Sequence, residues 1–414
     1  MRTLEGASAR SCVSTLANRA EDLDKVSNKV RHIVNNVRRD GDRALHRYAQ
    51  RWDGLAENEA VKVDPAEISN AWQQVSSAFR SALQQAAINI RQFATWQKPK
   101  AWIHTQNGIS LGQIIRPLGS VGCYVPGGRY PLPSTLLMTV IPAQVAGVKR
   151  ICVVSPQPRI ETLAAAALLG VREVYRVGGA QAIAALAYGT ESIPSVDKIV
   201  GPGNLYVTGA KKLVAFDCSI DFLAGPTEIV VVSHRGKPLT IASDLVAQAE
   251  HDPHALVVFI TTSHQLAKQV ATSIRSLATR NNSIARRSLA DKGVILLASS
   301  RREAMDWANG LAPEHITVDA QDLPLLQNAG SAFIGDYSPT SAGDYASGPN
   351  HVLPTGGLAR SRGGLTVSDF LKVITVQRLS KAGLRNIAPI VETLAEAEGL
   401  KAHAQSVRVR YANA

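Results

Sequence analysis

Two polar residues near the end of a predicted helix have the spacing of a metal-binding pair. Gln248 and His251 lie three positions apart in the stretch SDLVAQAEHDPH, which Pro253 closes. Side chains at this spacing share one face of a helix, so both could reach a single ion. A histidine in the last turn of a helix also interacts favourably with the helix dipole. The spacing alone leaves a metal site and a dipole interaction open.

A second stretch places a carboxylate beside an imidazole. Glu314 and His315 follow a predicted helix and a proline in the stretch LAPEH. Adjacent side chains usually point apart, so the two would act on different atoms. An imidazole titrates near neutral pH and therefore suits general acid–base catalysis. An ordinary surface turn would explain the pair equally well.

A polar loop rich in small residues supplies two further candidates. Asp344 and His351 lie in SAGDYASGPNHVLP, between segments that read as strands. Long loops of this kind often carry function. Aspartate is also a common turn former, so a purely structural role for Asp344 stays open.

Three glycine-rich turns connect predicted strands to predicted helices. They occupy residues 126–128, 178–181 and 201–204, and each has an amide or aromatic side chain in or beside it: Tyr124, Gln181 and Asn204. Glycine lets the backbone approach a ligand, and the helix N-terminus that follows offers N–H groups to phosphates. In a parallel sheet such turns lie at the carboxyl ends of the strands, where ligands bind. Tight turns of this type need glycine in any case, and no complete G-x-G-x-x-G follows a strand.

The elements that must position these residues alternate between strand and helix from about residue 119 onward. This alternation predicts parallel βαβ units, and we expect two of them, joined near residues 222–230. Residues 20–100 are predicted to be helical with a break at Asp40-Gly41, and residues 102–116 to form a hairpin. The tail from about residue 365 is predicted to be helical again.

Composition narrows the class of protein. The 414 residues, 45% hydrophobic and 19% charged, predict a globular chain of two to three domains. The net charge of +12 is dispersed without a run of five basic residues, so we expect no nucleic-acid partner. No apolar stretch reaches the length of a membrane span. Four scattered cysteines and the lack of a secretory signal indicate the cytoplasm.

Taken in order, these stretches resemble the histidinol dehydrogenase family from about residue 20 to residue 410. The resemblance is carried by PGGRYPLPSTLLMTVIPAQVAGV, VGGAQAIAALAYGTESIPSVDKIVGPGN, SDLVAQAEHDP, APEHITV, SAGDYASGPNHVLPT and AEGLKAHAQSV. It implies an α/β fold of two incomplete Rossmann-like parallel-sheet domains with helical N-terminal and C-terminal extensions. The implied parts are an N-terminal extension (1–20), a discontinuous catalytic and metal domain (21–123 and 227–364), an NAD-binding domain (124–226) and a tail (365–414) that completes the partner's active site.

The resemblance also implies an activity. Such an enzyme oxidises L-histidinol to L-histidine through L-histidinal, the last step of histidine biosynthesis, and reduces two NAD per turnover. The implied assembly is a homodimer with one zinc ion per subunit. The positions that match zinc ligands are Gln248, His251, Asp344 and, supplied by the partner, His403. A mixed set of oxygen and nitrogen donors suits zinc.

The remaining site residues follow from the same matches. Glu314 and His315 occupy the acid–base positions, and Tyr124, Gln181 and Asn204 occupy the NAD positions. The substrate positions are Thr227, His351, Glu398, His315 and the four zinc ligands, with Glu398 expected to cross to the partner in the same tail as His403.

Two positions depart from the family pattern. Thr227 stands where serine is usual, which keeps the hydroxyl and adds a methyl group, and Pro349 replaces a common threonine. The alternative to a histidinol dehydrogenase is a related enzyme that oxidises another small alcohol or diol with NAD. The presence of His351 and Glu398, which match positions that recognise polar groups of histidinol, favours histidinol.

Overall fold

A computed structural model describes residues 1–19, 23–127, 130–278 and 283–411 of the chain. Gly128, in the first predicted glycine turn, therefore lies outside the described residues, as does the predicted boundary near residue 20. In the four described ranges, no helix has both the length and the apolar character needed to cross a bilayer.

The first quarter of the chain is mainly helical. Its elements are β1 (Arg2–Glu5), α1 (Gly6–Ala17), α2 (Asp24–Trp52), α3 (Pro65–Gln74), α4 (Ser77–Gln97), β2 (Trp102–Gln106) and β3 (Ile109–Pro117). The predicted break in the long helix is confirmed as a kink, because Gly41 adopts φ of 52°, a conformation that glycine tolerates best. A further break separates α3 from α4 within the segment predicted to be helical, since Ser76 is extended and caps α4 by accepting a hydrogen bond from Phe79 N–H.

A five-stranded sheet, the first sheet, occupies the middle of the chain. Its elements are β4 (Ser120–Tyr124), α5 (Pro133–Ala146), β5 (Arg150–Val154), α6 (Ile160–Leu168), β6 (Glu173–Tyr175), α7 (Gly179–Tyr188), β7 (Lys198–Val200), α8 (Leu205–Val214) and β8 (Ser219–Ile220). All of its strands are parallel, in the order β6-β5-β4-β7-β8. The order reverses between β4 and β7, which creates a crevice at the carboxyl ends of these strands.

A six-stranded parallel sheet, the second sheet, follows. Its elements are β9 (Glu228–Val232), α9 (Pro238–Ala249), β10 (Leu256–Thr261), α10 (His264–Leu277), α11 (Ser283–Asp291), β11 (Gly293–Leu297), α12 (Arg301–Leu311), β12 (His315–Val318), β13 (Ser331–Ile334) and α13 (Thr340–Tyr345). The strand order is β1-β11-β10-β9-β12-β13. Apart from β1, this repeats the order of the first sheet, so the two predicted Rossmann-like units are confirmed.

The N-terminal segment treated as an extension contributes to the second sheet. Strand β1 pairs in parallel with β11, placing Leu4 opposite Leu296. Helix α1 buries Ala9 and Val13 in the same core that contains Trp307 of α12. The beginning of the chain is thus bonded to the edge of this sheet.

The predicted helical tail is wrong in its first part. The tail contains β14 (Leu371–Leu379), α14 (Lys381–Ala397) and α15 (Lys401–Arg408). Strand β14 pairs along its whole length with β3, in an antiparallel sheet of order β14-β3-β2, the third sheet. The run VITV within β14 consists of β-branched residues, which favour a strand, and this signal was missed. The predicted hairpin of β2 and β3 is confirmed.

A buried ion pair supports the third glycine turn. The ammonium group of Lys211 contacts the Asp221 carboxylate and donates to the carbonyl oxygen of Gly201 at 2.9 Å. The other carboxylate oxygen of Asp221 accepts from Gly201 N–H at 2.8 Å. Lys211 and Asp221 are both buried, so the backbone at Gly201 is held from both sides by one charged pair.

Removing the cation from this pair is expected to destabilise the folded protein. Lys211→Met leaves the Asp221 carboxylate buried without its charge partner, which should lower the free energy of unfolding by about 3–5 kcal/mol. Urea unfolding monitored by circular dichroism measures the change. Lys212→Met, on the exposed face of the same helix, serves as the control and should change stability by less than about 0.5 kcal/mol. Equal effects of the two substitutions would contradict this role.

Candidate active site

The candidate residues gather where the two parallel sheets face each other. A cavity of about 360 Å³ is lined by Thr227, Gln248, His251, Glu314, His315, Asp344 and His351 from the second sheet and its loops, and by Tyr124 and Asn204 from the first sheet. His315 is the first residue of β12, so the acid–base pair lies at the amino edge of the second sheet. Tyr124 is the last residue of β4, at the carboxyl edge of the first sheet.

The Glu314 carboxylate is buried and held by two donors. One of its oxygens, Oε2, accepts from the hydroxyl of Thr227 at 2.5 Å and from the backbone N–H of Glu228 at 2.8 Å. The other oxygen, Oε1, forms no hydrogen bond with the described residues and is left for a molecule in the cavity. The alternative of a surface turn at this position is therefore wrong, because Glu314 is only 7% exposed.

One nitrogen of the His315 imidazole is held by the backbone, and the other forms no hydrogen bond. Nδ1 lies 3.1 Å from the carbonyl oxygen of Glu228, to which it can donate its proton. Nε2 is buried without a hydrogen bond and lies 3.4 Å from a carboxylate oxygen of Asp344. Burial lowers the pKa of His315, but the negative charges of Glu314 and Asp344 outweigh burial and raise it to about 10. With Nδ1 held by the Glu228 carbonyl, this imidazole can give or take a proton at Nε2.

The three predicted metal ligands of this chain line the same cavity. Gln248 is buried in the last turn of α9, where its amide nitrogen donates to the hydroxyl of Thr227. Its amide oxygen accepts no hydrogen bond from the described residues. Burial alone would raise the pKa of Asp344, but the nearby imidazoles of His315, His351 and His251 lower it.

The potential metal ligands of this cavity form a mixed set of donors. Among the described residues, no group of three or more His, Cys, Asp or Glu side chains is placed to hold a metal ion. The cavity offers an amide oxygen from Gln248, an imidazole from His251 and a carboxylate from Asp344. These donors fit zinc, and they leave at least one coordination position to be filled from outside.

Two predicted residues stand apart from this cavity. Glu398 follows α14 directly and His403 lies on α15, and both side chains are exposed. Neither lines the cavity of its own chain. His351, in contrast, borders the cavity, where Nδ1 lies 2.7 Å from the carbonyl oxygen of Asp344 and burial lowers the pKa of the imidazole.

The three predicted NAD residues surround a second, larger cavity. Its volume is about 1270 Å³, and it lies at the carboxyl edge of the first sheet. The hydroxyl of Tyr124 accepts from Gly179 N–H at 3.1 Å, and Gln181 donates to Asp53 at 2.9 Å. Asn204 caps α8. Because Tyr124, Gly127 and Asn204 line both cavities, the two spaces lie next to each other.

Sequence reasoning missed the residues that hold the acid–base pair from behind. The guanidinium of Arg19 forms two hydrogen bonds, of 2.6 and 2.5 Å, with the carboxylate of Glu228, whose carbonyl group anchors His315. Gly356 N–H donates to the same carboxylate at 3.0 Å. The position of Glu228 directly after Thr227 was a usable signal, but nothing in the sequence connects Arg19 with this site.

The hydroxyl of Thr227 is expected to contribute more to catalysis than its methyl group. Thr227→Val removes one of the two donors to Glu314 and should lower kcat/KM about 10- to 100-fold, since a hydrogen bond to a charged group contributes roughly 1.5–3 kcal/mol. Thr227→Ser keeps the donor and should stay within about threefold of the unmodified protein. Steady-state kinetics on both variants test this. A serine variant as impaired as the valine variant would show that packing, not the hydrogen bond, is the cause.

This fold and site define an α/β enzyme of the oxidoreductase class, with a Rossmann-like crevice beside a buried acid–base pair. The chain belongs to the histidinol dehydrogenase family, whose sequence profile matches residues 16–411. The resemblance noted from the sequence is thereby confirmed.

Individual relatives agree with the family profile. The chain is 46% identical over 413 residues to the histidinol dehydrogenase of Methanothermobacter thermautotrophicus, covering 96% of each chain. It is 47% identical over 401 residues to that of Haloarcula marismortui, covering 94% of each. The crystal structure of histidinol dehydrogenase from Elizabethkingia anophelis is similar over 100% of this chain and 98% of its own, with a TM-score of 0.94 and 36% identity.

Proposed function

We propose that this protein oxidises L-histidinol to L-histidine through L-histidinal, with NAD as oxidant and one zinc ion per site, in the cytoplasm. The observation that carries the proposal is that the two cavities are adjacent and share lining residues. The buried Glu314–His315 pair and the donors Gln248, His251 and Asp344 border one cavity, which lies beside the space at the carboxyl edge of the first sheet. We accordingly assign residues 124–226 to NAD and the second sheet to zinc and catalysis.

The alcohol oxidation requires a base near the substrate hydroxyl. His315 is placed to take that proton at Nε2, because the Glu228 carbonyl holds Nδ1 and turns Nε2 toward the cavity. Asp344 helps to raise the pKa of this imidazole through its negative charge. Neutralising that charge would lower the pKa of His315 and favour the neutral imidazole that a base needs. Zinc bound by Gln248, His251 and Asp344 would supply Lewis-acid chemistry and orient the substrate. NAD would accept the hydride.

The second oxidation requires a water molecule to add to the aldehyde. Glu314 is placed to activate that water through Oε1, since Oε2 is engaged by Thr227 and Glu228. Addition of water to L-histidinal, transfer of the second hydride to a second NAD and release of protons would give the carboxylate of L-histidine. Retention of the aldehyde in a small cavity prevents loss of a reactive intermediate between the steps.

Exposed apolar side chains support a homodimer with shared sites. Trp102, Ile103 and Leu111 of the third sheet are 46, 60 and 48% exposed. On α14, Ile390 and Leu394 are both 59% exposed. A protein interface would bury such exposed apolar side chains. We propose that a second copy covers them and that the exposed Glu398 and His403 complete the site of that copy.

A metal-dependent assay tests the proposed function. Purified protein loaded with zinc should form two NADH for each L-histidinol consumed. Removal of the metal with a chelator should abolish this activity, and added zinc should restore it. Small alcohols and diols without an imidazole serve as comparison substrates. Absence of NADH formation with L-histidinol, together with turnover of another alcohol, would replace the proposal by the alternative of a related dehydrogenase.

A further inference from the structure

The buried carboxylate of Glu228 has its charge partner in the N-terminal segment of the chain. Glu228 is the first residue of β9 and is buried. Its two carboxylate oxygens accept from Nε and Nη2 of Arg19, which lies two residues beyond the end of α1. Such a forked pair matches the planar guanidinium to the carboxylate and fixes direction as well as distance. The Arg19 side chain is 17% exposed, so solvent screens this pair only weakly.

The backbone of Glu228 contacts both members of the acid–base pair. Its N–H donates to Oε2 of Glu314 at 2.8 Å, and its carbonyl oxygen lies 3.1 Å from Nδ1 of His315. On the opposite side of the strand, the carbonyl of the preceding Thr227 accepts from Leu256 N–H of β10. A shift of Glu228 would change both contacts at once. The orientation of Glu314 and His315 therefore depends on how firmly Glu228 is held.

The third nitrogen of Arg19 reaches the segment that carries the acid–base pair. Its Nη1 donates to the carbonyl oxygens of Leu16 at 2.8 Å and of Leu311 at 2.9 Å. Leu311 ends α12, three residues before Glu314. The next residue, Ala312, has φ of 45°, a conformation that residues other than glycine rarely adopt and that the surrounding structure has to hold. One guanidinium thus joins the strand that contacts the pair to the segment that bears it.

We propose that Arg19 is a positioning residue for the oxidation: it holds Glu228 and Leu311, and through them it directs the side chains of Glu314 and His315 into the cavity. Neither Arg19 nor Glu228 lines that cavity, so the effect passes through the backbone and not through contact with the substrate. Residues 1–19 then take part in catalysis in addition to completing the second sheet. This inference deepens the proposed dehydrogenase function and rests on it for the reaction that is measured.

Steady-state kinetics of an arginine variant tests the inference. In the zinc-loaded protein, Arg19→Ala should lower kcat with L-histidinol about 10- to 100-fold, since a small misplacement of reacting groups slows the chemical step. KM for L-histidinol and for NAD should stay within about threefold, because Arg19 contacts neither ligand. Arg10→Ala is the matched control. It removes the exposed ion pair between α1 and Glu303 of α12, and its kcat should equal that of the unmodified protein.

The contact that orients His315 can be observed without turnover. In protein that contains ¹⁵N-labelled histidine, the proton on Nδ1 of His315 should give a resolved NMR signal, because the Glu228 carbonyl holds it. The loss of this signal in His315→Ala assigns it. The signal should shift or broaden in Arg19→Ala and stay unchanged in Arg10→Ala.

A double variant keeps the test decisive if Arg19→Ala folds poorly. Arg19→Met combined with Glu228→Gln removes both charges of the pair, so no unpaired charge is left buried. This variant should fold, and it should show the same fall in kcat and the same change in the His315 signal, because the forked contact is absent.

The two measurements separate this inference from the proposed function. An unchanged kcat in a folded variant, a rise in KM alone, or a fall in kcat with an unchanged His315 signal would overturn the positioning role. If the unmodified protein does not oxidise L-histidinol while the His315 signal depends on Arg19, the proposed function fails and the hold of Arg19 on the acid–base pair stands. If L-histidinol is oxidised and neither kcat nor the signal depends on Arg19, only the positioning role fails.

Discussion

Replacing His315 with alanine should lower kcat for the oxidation of both L-histidinol and L-histidinal by about 100- to 10,000-fold, the usual contribution of a general base. The expected reason is that Nε2 is buried at the cavity and forms no hydrogen bond, so it can take the proton of the substrate. The zinc content should stay normal, because His315 is not one of the proposed ligands. NADH formation from each substrate and elemental analysis measure the two effects. His254→Ala, an exposed imidazole that does not border the cavity, is the matched control.

The neighbouring carboxylate should separate the two oxidation steps. Glu314→Gln keeps the size and the bonding oxygen of the side chain but removes the base that would activate water. Oxidation of L-histidinal should therefore fall more than oxidation of L-histidinol. Equal losses in the two half-reactions would show that Glu314 and His315 do not divide the proton transfers in this way.

A heterodimer of two inactive subunits should recover about half of the activity of the unmodified dimer. One subunit carries His403→Ala and the other carries His315→Ala, so one of the two sites receives an intact His315 and an intact His403 from the opposite chain. The second site has both substitutions and stays inactive. Coexpression with two different affinity tags, followed by purification over both, isolates the mixed dimer for assay.

A second pair of variants controls this experiment. A mixed dimer of one His403→Ala subunit and one Glu398→Ala subunit should not recover activity. Both residues are proposed to act in the partner's site, so each site then lacks one of them. Both side chains are exposed and outside the cavity of their own chain. Recovery in this second pair, or no recovery in the first, would show that the sites are not shared.

The sequence predicted some residues of the site more firmly than others. The spacing of Gln248 and His251 left a dipole interaction open, and the pair Glu314–His315 fitted a surface turn. The structure brings all four to one cavity with Asp344 and buries Glu314 and His315, which rules out an exposed turn for that pair. Ligation of zinc and the crossing of His403 to a partner remain predictions, because they depend on atoms outside this chain.

The fold, too, could be predicted from the sequence only in part. The two Rossmann-like units followed from the alternation of apolar runs and glycine turns, which is a local property of the sequence. Strand β14 was predicted as helix although the run VITV favours a strand, and its pairing with β3 joins segments that are far apart in the chain. Strand β1 could not be placed at all, because its partner β11 lies close to residue 295.

The sequence by itself determined the two parallel-sheet units, the glycine turns and the types of side chain available for catalysis, since periodicity and turn chemistry act over a few residues. Only the tertiary structure decided that the amino edge of one sheet faces the carboxyl edge of the other. It also decided that the backbone of Glu228 anchors His315, 87 positions away. Such contacts arise from packing between distant segments, and a backbone carbonyl that orients an imidazole leaves no signature in the residue types.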